Sequence, residues 1–175
     1  MTPIPVLDTG RLRLRERTVE DAEALFPSYA DVEAMTYWSH APHTSVEQTR
    51  ARIAEPPGEW RAWAITLAGD DRAIGFVAVG EKRPGVSEIG YMVARAHWGR
   101  GIAREAVSAV LDQVLCVEGQ RRVFADTDPE NAASNGLLKA LGFSLEGRLR
   151  EEWETHLGVR DTFLWGLLAS DWTAR

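Results

Sequence analysis

Trp98-Gly99-Arg100-Gly101-Ile102-Ala103 joins a strand-like run, Glu88 to Val93, to a long amphipathic helical run. Two glycines within three residues open backbone conformations closed to other residues and let a ligand come close to the main chain. The helix that follows offers unpaired N–H groups and the positive end of its dipole. An anion is favoured there, and a pyrophosphate is the natural guest, with Arg100 and Arg104 adding charge. Taken alone, the two glycines also fit a plain tight strand–helix turn. A P-loop is excluded because no lysine is near. The dinucleotide fingerprint Gly-x-Gly-x-x-Gly fails at its third position, Arg104, and would want its strand first in the sheet.

Outward from this turn the texture alternates. From Ile102 to Val117 the apolar positions are 102, 103, 106, 107, 110, 111, 114, 115 and 117, a helical stripe of period 3.6 that Gly119 ends. Val123-Phe124-Ala125 reads as a short strand, and Ala132 to Leu141 as a helix closed by Gly142. The tail, Phe143 to Leu168, reads as strands, the last two folded about His156-Leu157-Gly158-Val159. Upstream, Arg11-Leu12-Arg13-Leu14-Arg15 alternates as a strand with one wet face. Thr18 caps a helix that should end near Pro27, and Ser45 with Gln48 forms a capping box for a second that stops before Pro56-Pro57-Gly58. Trp60 to Leu67, Ala73 to Val79 and Glu88 to Val93 form an antiparallel meander, joined by Gly69-Asp70-Asp71 and Arg83-Pro84-Gly85. The whole predicts an α+β domain over 1–175: a mixed, mostly antiparallel sheet of about seven strands, about four helices, and a βαβ crossover at its centre.

Composition bounds the function. At 175 residues one domain suffices. Net charge is −6, against the positive footprint that nucleic-acid or anionic-membrane binding needs. Cys116 is the single cysteine, so no internal disulfide is possible, and we expect it buried. There is no secretory leader pattern and no run of roughly 18 apolar residues, so we expect a cytoplasmic protein, monomer or homodimer.

Glu88-Ile-Gly-Tyr-Met-Val, Trp98-Gly-Arg-Gly-Ile-Ala-Arg-Glu-Ala, Asp128-Pro-Glu-Asn-Ala-Ala-Ser and Leu141-Gly-Phe-Ser-Leu-Glu-Gly together resemble the GNAT N-acetyltransferases, most closely the RimJ/RimL branch. Leu12-Arg-Leu-Arg and Gly158-Val-Arg-Asp extend the likeness over nearly the whole chain. The resemblance implies acetyl-CoA as co-substrate and no metal. It places the pyrophosphate on the Gly101–Ala103 turn, with His97, Trp98, Gly99, Arg100, Ile102 and Arg104 around it, and pantetheine beside Met92 and Val93. Trp98 departs from the family's usual Gln or Arg, which touches only a side-chain contact. Asn131 resembles a coenzyme-contacting asparagine, and Ser134 a hydroxyl near the coenzyme sulfur.

The chemistry needs such parts. An ammonium must lose a proton before it attacks a thioester, and a base must take it. The tetrahedral oxyanion needs a main-chain donor, and the departing thiolate, of pKa near 8.5, gains from a hydroxyl. Glu88 is the candidate base and Ser134 the candidate acid, against a solvated strand residue and a helix-cap serine respectively. Tyr37 and Trp38 are expected to wall the acceptor site, His40 and His43 to border it, and Glu152 with Glu154 to line it from the tail strand unless they form a wet face. The other tryptophans are expected in the core or packed at its edges. The resemblance makes a protein N-terminal amine the leading acceptor. A small-molecule amine, an inactive CoA-binding module and a nicotinamide enzyme, the last disfavoured by Arg104, stay as alternatives.

Overall fold

The computed structural model describes residues 4–56 and 58–173. In chain order the elements are β1 (Leu7–Asp8), β2 (Leu12–Glu16), α1 (Ala22–Tyr29), α2 (Val46–Ala54), β3 (Trp60–Leu67), β4 (Asp70–Arg83) and β5 (Val86–Val93). There follow α3 (Ile102–Leu111), β6 (Arg122–Thr127), α4 (Ala132–Ala140), β7 (Ser144–Thr155), β8 (Gly158–Leu168) and α5 (Ala169–Thr173). The strands make one sheet in the order β1-β2-β3-β4-β5-β6-β8-β7. Every pairing is antiparallel except β5 with β6, which α3 joins as the expected crossover. The fold is α+β as expected, with eight strands and five α-helices among the described residues where about seven and four were expected. The additions are a two-residue strand and a one-turn helix, too short to leave a periodic pattern.

Alternation along the strands fills two cores, one on each face of the sheet. Leu12, Leu14, Trp63, Ile65, Val77, Ile89, Val123 and Leu167 pack under α3 and α4 with Val107, Val110, Leu111 and Leu138. The opposite face carries a smaller cluster in which Ala64, Phe76 and Met92 meet Leu25 and Tyr29 of α1 and Met35. Beyond the register shift near the start of β4, which puts Ala73 on the α1 side and Ile74 on the α3 side, even-numbered residues such as Ala64, Phe76 and Met92 face α1 and odd-numbered ones such as Trp63, Val77 and Ile89 face α3.

Four local departures have physical causes. Thr18 opens a 3₁₀ turn, its N–H donating to Asp21 Oδ2 at 2.9 Å, and α1 then runs through Pro27 to Tyr29. Proline forfeits one hydrogen bond but holds a helical φ, and the Ala30 N–H to Phe26 carbonyl bond (2.8 Å) closes the turn beyond it. At α2 the Ser45 hydroxyl accepts from the Gln48 N–H, but the Gln48 side chain reaches back to the Thr44 N–H, one residue before the expected box partner. The Pro56-Pro57-Gly58 stop lies partly outside the described residues, at Pro57. The helix predicted from Ile102 to Val117 widens into a π turn at Asp112–Val117, where the Glu118 N–H bonds the Gln113 carbonyl. The wider turn rotates Val117 to solvent at 72% exposure and leaves Cys116 exposed, correcting the expectation of a buried thiol.

Candidate active site

β5 and β6 pair only at Val86↔Arg122, Ser87↔Val123 and Glu88↔Phe124. Beyond these the two strands run on to Val93 and Thr127 without a ladder between them, so the sheet opens along its parallel seam. The opening has two kinds of wall.

On the α3 side the Trp98–Ala103 segment is a turn built by two left-handed glycines, φ +70° at Gly99 and +75° at Gly101. Gly101 is the N-cap of α3, and the Glu105 N–H is bonded to its carbonyl at 3.0 Å. The N–H groups of Ile102, Ala103 and Arg104 precede that ladder and point from the positive helix end. Glu105, the acid in the first turn, is drawn aside: Arg11 Nε donates to it at 2.7 Å and the Thr9 hydroxyl at 2.5 Å. Arg11 also donates to the Arg100 carbonyl (3.2 Å), tying the turn to β2. The Trp98 indole N–H bonds the Val93 carbonyl at 2.6 Å, and the His97 Nδ1 lies 3.3 Å from the Arg100 guanidinium. Ile102 is buried in the core, and Met92 and Val93 fill opposite cores. An elongated ligand beside β5 therefore meets its main chain rather than those side chains. Such an amide-lined turn fits a pyrophosphate.

On the α4 side the Asn131 side chain caps the helix, accepting the Ser134 N–H at 3.1 Å. The Ser134 hydroxyl is thereby free of the capping role and sits 2.6 Å from the Tyr91 hydroxyl. Burial pushes the Tyr91 phenol up to about 12, against the bond from Ser134 that lowers it, so Tyr91 keeps its proton at neutral pH. Tyr91 was not among the residues singled out in the sequence.

The other face opens into a cleft of about 680 Å³ that also reaches Tyr91, Asn131 and Ser134 through the gap. Glu88 lies in it, half-buried, with Lys82 Nζ at 3.3 Å from its carboxylate. Burial raises the Glu88 carboxyl above its ordinary value, the charge of Asp126 raises it further, and Lys82 opposes both. Asp126, two residues beyond Phe124 on β6, is likewise raised by burial, while the Trp153 indole N–H (2.6 Å) holds it down. Two carboxylates with raised affinity for protons therefore share one cleft. Trp60 lies flat across Gly80, where an added Cβ would come within 2.8 Å of the indole, and Lys82 sits 4.5 Å above the same ring.

Tyr37 and Trp38 line the cleft, the Tyr37 hydroxyl donating to the Glu130 carbonyl at 3.1 Å. His40 borders it, whereas His43 is buried, stacked 4.7 Å from Tyr29 and 2.8 Å from the Thr49 hydroxyl. Glu152 does not line it. The β7–β8 register jumps between Leu149 and Trp153, with Glu151 in the left-handed region and Asp161 accepting its N–H at 2.9 Å. Trp153 and Thr155 face the cleft, while Glu152 and Glu154 are exposed on the outer side, the wet face that the alternation allowed; the Glu152 charge still raises Asp126. Trp153 and Trp60 thus belong to the cleft, while Trp63, Trp165 and Trp172 are core.

Residues 11–144 match the family model described as an acetyltransferase (GNAT) domain. An uncharacterized N-acetyltransferase p20 of Bacillus licheniformis is 32% identical over 173 residues, covering 95% of this chain and 97% of that protein. The uS5-alanine N-acetyltransferase of Escherichia coli K12 is 31% identical over 85 residues, 49% of this chain and 44% of its own. Among solved structures, RimL, a ribosomal L7/L12 alpha-N-protein acetyltransferase in complex with coenzyme A, superposes with TM-score 0.80 at 20% identity, over 94% of this chain and 98% of that one.

Proposed function

We propose, given that this chain belongs to the GNAT acetyltransferases and is an N-acetyltransferase, that it moves an acetyl group from acetyl-CoA directly to a primary amine, with a protein N-terminal amine as the leading acceptor. The observation that carries this reading is the open β5–β6 seam, with hydroxyls on one side and proton-hungry carboxylates on the other. Residues 1–175 form one such domain, and a reducing, cytoplasmic setting suits its exposed lone thiol.

When bound, acetyl-CoA supplies the thioester carbonyl and a thiolate leaving group. The Ile102, Ala103 and Arg104 amides, with Arg100, would hold the pyrophosphate, and the β5 main chain beyond Glu88 would position the pantetheine arm. Where the ladder between β5 and β6 stops, a main-chain N–H of β5 would serve as donor to the developing oxyanion. Glu88, raised by burial and by Asp126, accepts the ammonium proton directly or through water. Ser134, backed by the protonated Tyr91, donates to the departing sulfur. Positioning two substrates across one gap supplies several kcal/mol without a covalent intermediate.

The acceptor class draws its support from the ribosomal-protein acetyltransferases among the similar proteins, a relation confined to half the chain in one case and to the fold in the other. A small-molecule amine is the second reading, favoured by the cleft's aromatic walls at Trp38, Trp60 and Trp153. The test is thiol release from acetyl-CoA against N-terminal peptides, polyamines and aminoglycosides, with acetylated product identified by mass. Transfer to peptide α-amines supports the proposal. Transfer to small amines alone moves the acceptor to the second reading, and tight coenzyme binding with no transfer to any amine would leave an inactive CoA-binding module.

A further inference from the structure

Resting on the acetyltransferase reading, we infer that the acceptor carries an anionic group, a carboxylate, held by Arg17 at the end of the cleft remote from Glu88. Five cations line this cleft, and four are neutralised within the protein. Arg52 pairs with Glu55, Arg61 with Glu118, Lys82 with Glu59 and Glu88, and Arg160 with Asp128 and Glu130. Arg17 alone has no carboxylate partner among the described residues; its exposed neighbour Glu16, also on the cleft wall, makes no ion pair with it. Its guanidinium instead lies 4.7 Å from the centroid of the Phe76 ring, and its charge reaches the buried Tyr29 hydroxyl. A half-buried guanidinium laid on an aromatic face is fixed in position with its donors still available to a planar oxyanion.

Strand register shows how Arg17 connects with the reacting end. The Arg17 N–H bonds the Ala62 carbonyl at 2.9 Å, Ala62 pairs with Ala78, and Ala78 with Gly90. These three small residues make a floor running across β3, β4 and β5. Trp60 and Glu88 bound it on one side, the latter two opposite Gly80 in register, and Phe76 bounds it on the other beside Trp38, 6.0 Å between ring centroids. The floor therefore crosses two strand spacings, about 10 Å, from Ala62, next to Arg17, to the Gly90 edge where Asp126 and the open seam lie. An amine seated against Glu88 and Asp126 would extend along small residues between aromatic walls and finish on a cation. A polyamine or aminoglycoside would place positive charge on Arg17. A free amino acid or short zwitterion, and a protein N-terminus followed by an acidic residue, share the chemistry that fits.

The experiment compares wild type with Arg17→Gln and Arg17→Lys on two matched pairs, L-methionine with L-methioninamide, and Ala-Glu-Gly-amide with Ala-Gln-Gly-amide. Steady-state kinetics are read alongside thermal shifts of the CoA-bound enzyme by each compound. Removing Arg17 should raise KM for the acid member of one pair about tenfold, with kcat held and the amide member unmoved, and Lys should restore part of it. Comparing enzymes within a pair cancels the difference in amine pKa between acid and amide. An effect in the methionine pair identifies a small zwitterion, and one in the peptide pair a protein terminus with an acidic second residue. Equal changes for acid and amide, or an acid preference that survives Arg17→Gln, overturn the inference. If no compound is acetylated, the transfer reading fails separately, and the thermal shifts decide this one: stabilisation by an acid but not its amide, lost in Arg17→Gln, supports it, and no discrimination overturns it.

Discussion

Replacing Glu88 by glutamine separates catalysis from folding. The substitution keeps the shape of a half-buried side chain beside Lys82 and removes the proton acceptor. A positioned general base contributes roughly 10²–10⁴ in rate, which corresponds to about 2.7–5.5 kcal/mol of barrier. Asp126 shares the cleft and its own carboxyl is raised by burial, so it takes over part of the task. The expected loss in kcat for Glu88→Gln is therefore at the low end, about 10²-fold, with Glu88→Gln/Asp126→Asn losing more than the product of the two single effects, because the backup is then gone as well. In wild type, kcat/KM should climb with pH through an acid limb lying above the ordinary glutamate value, since the folded carboxyl is raised. That limb should shift or vanish in the variant. Stability runs the other way. A carboxyl with a raised folded pKa contributes stability below its unfolded value that is lost as pH rises through the folded one, so at neutral pH the ionised Glu88 opposes folding. Glu88→Gln should therefore melt no lower than wild type at pH 7, and the gap should close in acid. Thiol release followed across pH, with melting curves at the same values, reads both. A variant within twofold of wild-type kcat with an unchanged acid limb refutes Glu88 as base, and a fall in Tm at pH 7 refutes the account of its environment.

At the anion turn, Gly101→Ala puts a side chain at φ +75°, where the only close atom is Arg11 Nη2 at 3.7 Å, so backbone strain rather than clash decides the outcome. A cost of about 1–2 kcal/mol should lower Tm by roughly 2–8 °C and, by turning the amides, weaken acetyl-CoA binding about tenfold, as calorimetry would show; coenzyme affinity unchanged in the variant would mean the turn is only a turn. Ser134→Ala leaves the Tyr91 hydroxyl to protonate the sulfur, and Tyr91→Phe leaves Ser134, so each alone should cost about tenfold or less in kcat. The double variant should exceed either, and the double variant acting at wild-type rate would remove both from the mechanism.

Much of the frame was legible. The bounds of β3 and the start of α4 fall where alternation and the Asp128-Pro129-Glu130-Asn131 cap placed them. The Gly99 and Gly101 turn follows from two residues whose φ values only glycine adopts readily. The site was half legible. Glu88 and Ser134 came from motif positions, yet Tyr91 stood inside the same quoted run and Asp126 two residues before another, and neither was distinguished. Their meaning depends on register: only when Glu88 is known to pair with Phe124 does Asp126 become its neighbour. The β7 bulge and the π turn after α3 were illegible because each inserts residues out of period, and the π turn moved Cys116 to solvent, whereas the wet face of Glu152 and Glu154 was open in the sequence as an alternative. Arg17 gains its significance only when every other cation in the cleft is seen to be paired.

The most direct test of the central claim is a thermal melt with saturating acetyl-CoA beside one with NADH. Ligand at about 100 times its dissociation constant adds roughly 2.7 kcal/mol, which for a domain of this size raises Tm by roughly 5–11 °C. The account predicts that rise with acetyl-CoA and none with NADH. No rise at millimolar acetyl-CoA would contradict it, since neither the amide-lined turn nor the open seam would then hold the acetyl donor.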